Sequence, residues 1–129
     1  MPMNCAAMLE EETRPVARAQ APIIDLVHLS RQTLGDAALE NELLRLFVVQ
    51  AQQYAAWLEG SFAPGDALNR ADLTHRLKGS ARAIGAFPLA DAAEAYEDAL
   101  RAGAEDVASA ARRLAGALED ARLAATQLL

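Results

Sequence analysis

Cysteine is almost missing from this chain of 129 residues, since Cys5 is the only one and no internal disulfide can form. Long hydrophobic runs are missing as well, because no window approaches the roughly 18 consecutive apolar residues of a membrane span. The first twelve residues lack the basic start and the apolar stretch of a secretion signal. We therefore expect a cytoplasmic protein that does not contact the membrane.

Positive charge is also scarce. Twelve Lys and Arg residues stand against 18 Asp and Glu residues, which gives a net charge of −6. Nucleic-acid binding requires a basic face against the phosphate backbone, so the composition argues against a nucleic-acid partner. Lys78 is the only lysine in the chain. Around it, Arg70, Arg76 and Arg82 produce a local positive excess that suits a phosphoryl group or an acidic partner.

β-Branched residues are sparse, and no alternating apolar segment is bounded by turn signals, so no strand is expected. Apolar residues recur instead at three- and four-residue steps, which is typical of amphipathic helices. Glycines at positions 35, 60, 85 and 103 separate these segments. The pattern predicts helices over residues 23–34, 36–59, 66–84, 88–101 and 104–128. Asp36 is a favourable N-cap for the second helix, and Pro88 suits the first turn of the fourth.

The predicted fold is all-α. Four long helices with short connections pack most simply as an antiparallel up-down bundle, with the short first helix as a lid. The expected core stripe of the second helix consists of Leu39, Leu43, Leu46, Phe47, Ala51, Tyr54 and Leu58. Residues 1–21 mix an acidic cluster with two prolines and show no sustained period, so we expect a flexible N-terminal tail before a single domain over residues 22–129.

The third helix carries the most unusual surface. On a helical projection, Leu77 and Ile84 fall on one side, while His75, Lys78, Gly79 and Arg82 fall on the other. The histidine therefore points away from the core, and we expect Lys78 to be exposed and mobile beside it. Glycine in a helix interior lowers helix stability by about 0.5–1 kcal/mol relative to alanine. We therefore expect Gly79 to serve a function that offsets this loss. Its missing side chain leaves the imidazole accessible to a bulky partner.

An exposed neutral imidazole is a competent nucleophile toward phosphorus near pH 7. A phosphoryl group on the ring would bring about two negative charges, which an ammonium at i+3 can meet. His28, the other histidine, has no lysine or glycine near it, and we interpret it as structural or solvent-exposed. No Cys, His and Asp cluster has metal-ligand spacing, so no bound metal is expected.

Residues 75–86 read HRLKGSARAIGA. This run resembles the signature of histidine-containing phosphotransfer domains of bacterial phosphorelays. The resemblance continues through Leu89, Ala92, Glu97 and Leu100 to Gly103, and more loosely back to Leu43 and Phe47. It implies a helical bundle that carries phosphate on His75, with Lys78 to neutralise the phosphoryl oxygens and Gly79 to give access. Receiver domains would be the partners, magnesium would belong to the receiver alone, and the chain would be a monomer without a cofactor of its own.

The same resemblance draws attention to Glu97, because some family members place a polar side chain at this position, close enough to touch the imidazole. Glu97 could orient the ring, yet it would repel the phosphorylated form. Arg101 could serve the site as well, or form a salt bridge with Glu97 that matters only for stability. Arg76 and Arg82 are candidates for the partner surface.

One other function is disfavoured, and two remain open. A histidine kinase fragment is disfavoured, because Arg76 stands where such kinases carry an acidic residue after the histidine, and no Gly-rich ATP-binding segment is present. A docking module would bind a receiver or another helical partner without carrying phosphate. A hydrolytic or metal-dependent enzyme would need a second group near His75, for which Glu97 and Asp72 are the candidates.

Overall fold

The computed structural model describes residues 22–60 and 66–129. All regular structure in these two ranges is helical, which confirms the all-α class. The helices are α1 Leu26–Gln32, α2 Ala37–Glu59, α3 Ala67–Ile84, α4 Phe87–Ala102 and α5 Val107–Leu128. None of the described helices combines the length and the hydropathy needed to cross a membrane. The predicted flexible tail, residues 1–21, lies outside the described residues.

Aspartate caps explain where the first two helices begin. The Asp25 carboxylate accepts hydrogen bonds from the backbone N–H groups of Val27 and His28, so α1 begins three residues later than predicted. The Asp36 carboxylate accepts from the N–H of Leu39, as expected for the cap of α2. Both side chains satisfy N–H groups that the first helical turn leaves without a partner.

The four long helices form an antiparallel up-down bundle, as predicted. α3 packs along α4, α4 along α5, and α5 along α2, while α2 and α3 make the least extensive contact of the ring. Small side chains on α4 let its neighbours approach closely; its fully buried alanines are Ala90, Ala92 and Ala93. The result is a tightly packed α3–α4 pair beside a more open groove between α2 and α3.

The predicted core stripe of α2 is only partly correct. Phe47, Ala51 and Tyr54 are buried, but Leu46 is 59% exposed, and the stripe includes Leu44 instead. Leu39 is exposed as well. Apolar pairs at 43–44 and 46–47 allow two stripes that lie about 100° apart on the helix, and periodicity alone does not choose between them. The neighbouring helices decide, because the side of α2 that carries Leu44 and Phe47 is the one that the bundle buries.

A buried polar layer joins α2, α3 and α4 at one end of the bundle. The Arg70 guanidinium lies 4.2 Å from the ring centre of Trp57 and donates to the Tyr96 hydroxyl at 3.3 Å. One turn along α3, the hydroxyls of Thr74 and Tyr54 lie 2.5 Å apart. Burial raises the pKa of Tyr54 to about 12, although the hydrogen bond with Thr74 by itself would lower this pKa. Because Arg70 is only 3% exposed, it adds nothing to the surface charge that we expected from it.

The lid helix is fixed to the bundle at the end of α3. The backbone N–H of Asp25 donates to the carbonyl of Gly85 at 2.8 Å, and Leu29 fills the core below it. His28 packs edge-on against Phe87, with ring centres 5.0 Å apart. Gly85 has φ +83°, and a Cβ built there would lie 2.7 Å from the carbonyl oxygen of Asp25.

We therefore expect Gly85→Ala to destabilise the fold by about 2 kcal/mol or more, because the left-handed backbone costs an L-residue about 1–2 kcal/mol before any clash is counted. Gly103→Ala is the matched control, since Gly103 also has a left-handed φ of +63° but open space where its Cβ would lie. Urea unfolding of both variants measures the difference. Equal losses would show that the contact with Asp25 contributes nothing.

Candidate functional site

His75 stands in the middle of α3 on the side away from the core. Leu77 and Ile84 occupy the opposite side and are 0% and 3% exposed, which fixes the rotation of the helix. The His75 side chain is 62% exposed in consequence. The predicted accessibility of this imidazole is therefore a feature of the structure.

Glu97 of α4 reaches the ring from the side. Nδ1 of His75 lies 3.1 Å from Oε2 and 3.2 Å from Oε1 of Glu97. An ionised carboxylate can only accept hydrogen bonds, so Nδ1 carries the proton and donates it. Nε2 then holds the lone pair, and it has no hydrogen-bond partner among residues 22–60 and 66–129. The unprotonated ring nitrogen thus belongs to a side chain that is 62% exposed.

Two cations hold Glu97 in place. Nζ of Lys78 donates to Oε1 at 2.9 Å, and Nε of Arg101 donates to Oε2 at 3.0 Å. Arg101 also bonds to Asp72 at 3.1 Å, which ties the end of α4 back to α3. Glu97 is only 6% exposed, so its charge is compensated by direct bonds more than by water. Together with His75, these four residues form one connected cluster.

Comparison with known families gives this arrangement a context. A family model described as Hpt domain matches residues 42–127, which is more than half of the chain and includes all of α3 and α4. The chain belongs to the Hpt domain family. Neither the curated proteins nor the solved structures contained a match to it. The resemblance seen in residues 75–86 is thereby confirmed at the level of the family.

Hpt domains are phosphocarrier modules of two-component signalling, and they are not kinases. They interact with the receiver and histidine kinase components of these systems. For this Hpt domain, membership therefore supports a phosphotransfer-related role. The geometry of the cluster indicates which atoms would take part in phosphotransfer.

The electrostatics of Glu97 follow from its neighbours. Burial by itself would raise the pKa of this carboxyl, but hydrogen bonds from Lys78, Arg101 and His75 oppose it and hold the pKa at about 2. Glu97 is therefore ionised at neutral pH and keeps its acceptor role toward Nδ1. A protonated Glu97 could instead donate to the ring and reverse the tautomer.

Lys78 differs from the sequence expectation. We expected an exposed, mobile ammonium, but Lys78 is 9% exposed and bonded to Glu97. The expectation considered α3 alone, whereas α4 packs close enough to cover this side chain and to supply its partner. The ammonium group still lies one helical turn from His75, on the same carboxylate, so a short movement would bring it to the ring.

The remaining predicted residues are divided between two places. Arg101 joins the cluster directly, whereas Arg76 lies exposed on α3 and lines the groove toward α2. Arg82 lies 3.8 Å from Glu94, and Lys78 lies 4.0 Å from the same carboxylate. Sequence reasoning missed Glu94. Its position three residues before Glu97 places both carboxylates on one face of α4, which is the signal that could have found it.

Gly79 is exposed, and a Cβ built there would meet no atom within 4 Å. No contact among residues 22–60 and 66–129 therefore requires a glycine at position 79. The glycine lowers helix stability by about 0.5–1 kcal/mol relative to alanine, and no packing contact offsets this loss. Gly79 leaves the surface open one turn from the exposed histidine.

The depressed pKa of Glu97 makes a prediction about acid stability. A carboxyl whose pKa falls from 4.5 to about 2 on folding stabilises the fold above pH 4.5, and this contribution is lost as the pH falls toward 2. Glu97→Gln should cost about 2 kcal/mol near pH 6, and the difference from wild type should shrink by about pH 3. Urea unfolding at the two pH values measures this. Glu94→Gln, at a half-exposed carboxylate, should change stability by less than about 1 kcal/mol at either pH.

Proposed function

We propose that this Hpt domain relays a phosphoryl group between receiver domains through a covalent phosphohistidine on Nε2 of His75. The observation that carries the proposal is the contact between Glu97 and Nδ1, because it leaves the lone pair on Nε2 of an exposed side chain. No ATP-binding segment is needed, since the receiver supplies the activated phosphate. Magnesium would belong to the receiver, and no cofactor is assigned to this chain.

In the first transfer, Nε2 attacks the phosphorus of a receiver aspartyl phosphate in line with the departing carboxylate oxygen. Phosphoryl transfer depends mainly on positioning and charge stabilisation, and the cluster supplies both. The hydrogen bond to Glu97 fixes the orientation of the ring. Lys78 can rotate from Glu97 toward the transferring oxygens, while Arg101 keeps the carboxylate in place.

The groove between α2 and α3 supports docking of a receiver beside His75. It contains two cavities, of about 340 and 200 Å³, which share Gln50. Trp57, Leu73 and Arg76 line the larger cavity, and Leu46 lines the smaller one. Leu46 is too exposed to belong to the core. Its exposure suits an interface, where a partner would bury it. The groove and His75 lie on neighbouring faces of α3, so one partner can cover both.

The experiment that tests the proposal uses a receiver domain loaded with radiolabelled phosphate. Mixed with the full chain, it should transfer label to a product that alkali preserves and acid removes, as expected for phosphohistidine. A docking module without carrier activity would bind the receiver and remain unlabelled. That outcome would overturn the proposal in favour of the alternative.

Gly79→Leu should separate docking from folding. The change removes a helix-interior glycine, so the domain should become more stable by about 0.5–1 kcal/mol. The new side chain would project beside His75 and should weaken receiver binding at least about tenfold, equivalent to about 1.4 kcal/mol. Calorimetric titration with a receiver measures the affinity.

Gly116→Leu is the matched control, because Gly116 is also exposed within a helix and a Cβ built there would meet no atom within 4 Å, but it lies on α5. It should gain similar stability and bind the receiver normally. Unchanged binding by Gly79→Leu would refute the role of Gly79 in access.

A further inference from the structure

Glu97 occupies a position that matters most after the phosphoryl group has been transferred. When Nε2 bonds to phosphorus, its lone pair is consumed, and the ring carries a positive charge as long as Nδ1 keeps its proton. In ordinary solution that proton can be lost, which leaves a neutral phosphorylated ring. The Glu97 carboxylate lies 3.1 Å from Nδ1 and is the acceptor of this proton's hydrogen bond.

We infer that Glu97 keeps the proton on Nδ1 of His75 throughout the phosphorylated state, so that the ring departs as neutral imidazole in the second transfer. The inference rests on the proposed function. In that second step, a receiver aspartate oxygen attacks phosphorus, and the bond between phosphorus and Nε2 breaks. Its electron pair returns to Nε2, which regenerates the starting tautomer. No proton has to enter or leave in either direction.

The alternative leaving group is much poorer. If Nδ1 had lost its proton, cleavage would have to expel an imidazolate anion, and a proton donor would be needed to avoid that. The described residues place no other acid within bonding distance of the ring. Glu97 therefore acts as a positioning residue for the proton, and it sets the highest pH at which transfer remains fast.

The surrounding charges strengthen this assignment. Lys78 and Arg101 each donate to one oxygen of Glu97, yet a carboxylate offers about four acceptor sites, so both bonds are compatible with the bond to Nδ1. If Lys78 turns to the phosphoryl group, Glu97 loses one neighbouring cation and holds the Nδ1 proton more strongly. Arg101 also forms an ion pair with Asp72, which balances part of its positive charge.

Other charges lie further away. Glu94 and Arg82 pair with each other at 3.8 Å and do not bond to the ring. Within the described part of the chain, α1, α2 and α5 place no charged group within ion-pair distance of either Glu97 or His75. The proton on Nδ1 is thus governed by one carboxylate, which a single substitution can neutralise.

The test compares the full chain with Glu97→Gln and with Asp98→Asn as the matched control, since Asp98 is an exposed carboxylate on α4 that forms no bond to the cluster among the described residues. Each protein is phosphorylated with phosphoramidate, and the rate of transfer to an unphosphorylated receiver is measured against pH. An opposite charge at this distance shifts such equilibria by about one to three pH units. The pH at which transfer falls to half should therefore move down by about that amount in Glu97→Gln, while Asp98→Asn should follow the wild type.

A second measurement does not depend on the stability of the variant. The ¹⁵N shifts of the imidazole in the phosphorylated wild-type chain should report a protonated Nδ1 about one unit or more above the pH at which a phosphohistidine peptide loses its proton. Equal midpoints in the variant and the wild type, or loss of the Nδ1 proton at the peptide's pH, would overturn this inference alone. Absence of phosphate on His75 would instead overturn the proposed function.

Discussion

Replacing His75 with alanine is expected to abolish phosphoryl acceptance from a labelled receiver. The imidazole is the proposed site of the covalent bond, and the other nitrogen groups of the cluster belong to Lys78 and Arg101, which are bonded to Glu97. The fold should survive, because the side chain is 62% exposed and Glu97 keeps its bonds to Lys78 and Arg101. A change in stability within about 1 kcal/mol is typical of such a surface position.

Two further variants make the result specific. His75→Gln retains a side-chain N–H that can donate to Glu97 and should be equally inactive, which separates the chemistry from support of the cluster. His28→Ala removes the chain's other histidine and should transfer as well as the wild type, since His28 packs against Phe87 at the lid. Retention of label by His75→Ala would contradict the proposed carrier residue.

The second large effect is expected from Lys78→Ala. Loss of a group that stabilises developing charge in a transition state lowers rates by about 10²–10³-fold in well-studied sites. Transfer between receiver and domain should slow by about this factor, and rapid-quench measurement of single turnovers would detect it. Receiver affinity should change much less, because Lys78 is only 9% exposed before docking.

Arg82→Ala is the matched control for Lys78, since it removes a positive charge one turn along the same helix. Arg82 is half-exposed and contacts only Glu94 among the described ion pairs. It should reduce the transfer rate by less than about tenfold, through long-range attraction alone. Equal losses in the two variants would show that net charge matters and that the position of Lys78 does not.

The helical architecture was accessible from sequence because local rules govern it. Glycines at positions 35, 85 and 103 all have positive φ and lie at or next to helix ends, as their spacing predicted. Pro88 lies in the first turn of α4, where its missing N–H costs nothing. Alternation of long apolar segments with these breaks was sufficient to predict an up-down bundle.

The errors concern properties that depend on neighbouring helices. Leu46 was assigned to the core and Lys78 to the open surface, and both assignments are reversed in the packed bundle. Periodicity shows which residues share a helix face, but the partner helix decides which face is covered. The contact between His75 and Glu97 spans 22 positions and so depends entirely on tertiary packing.

The resemblance supplied what local rules could not. It predicted from the sequence that Glu97 belongs near the imidazole, although it did not determine whether the carboxylate would help or oppose phosphorylation. The structure provides the relevant geometry, in which two cations compensate Glu97 and its free acceptor capacity is directed to Nδ1. Repulsion of the phosphoryl group is thereby reduced, since the group would bond to the far side of the ring.

The central claim is that the phosphoryl group resides on Nε2 of His75. It is tested most directly by locating the phosphate on the labelled chain, with ³¹P and ¹⁵N spectra of protein phosphorylated by a receiver. The account predicts one phosphorylated residue, His75, with phosphorus coupled to Nε2 and the proton on Nδ1. Phosphorus on Nδ1, on His28 or on a carboxylate would contradict it.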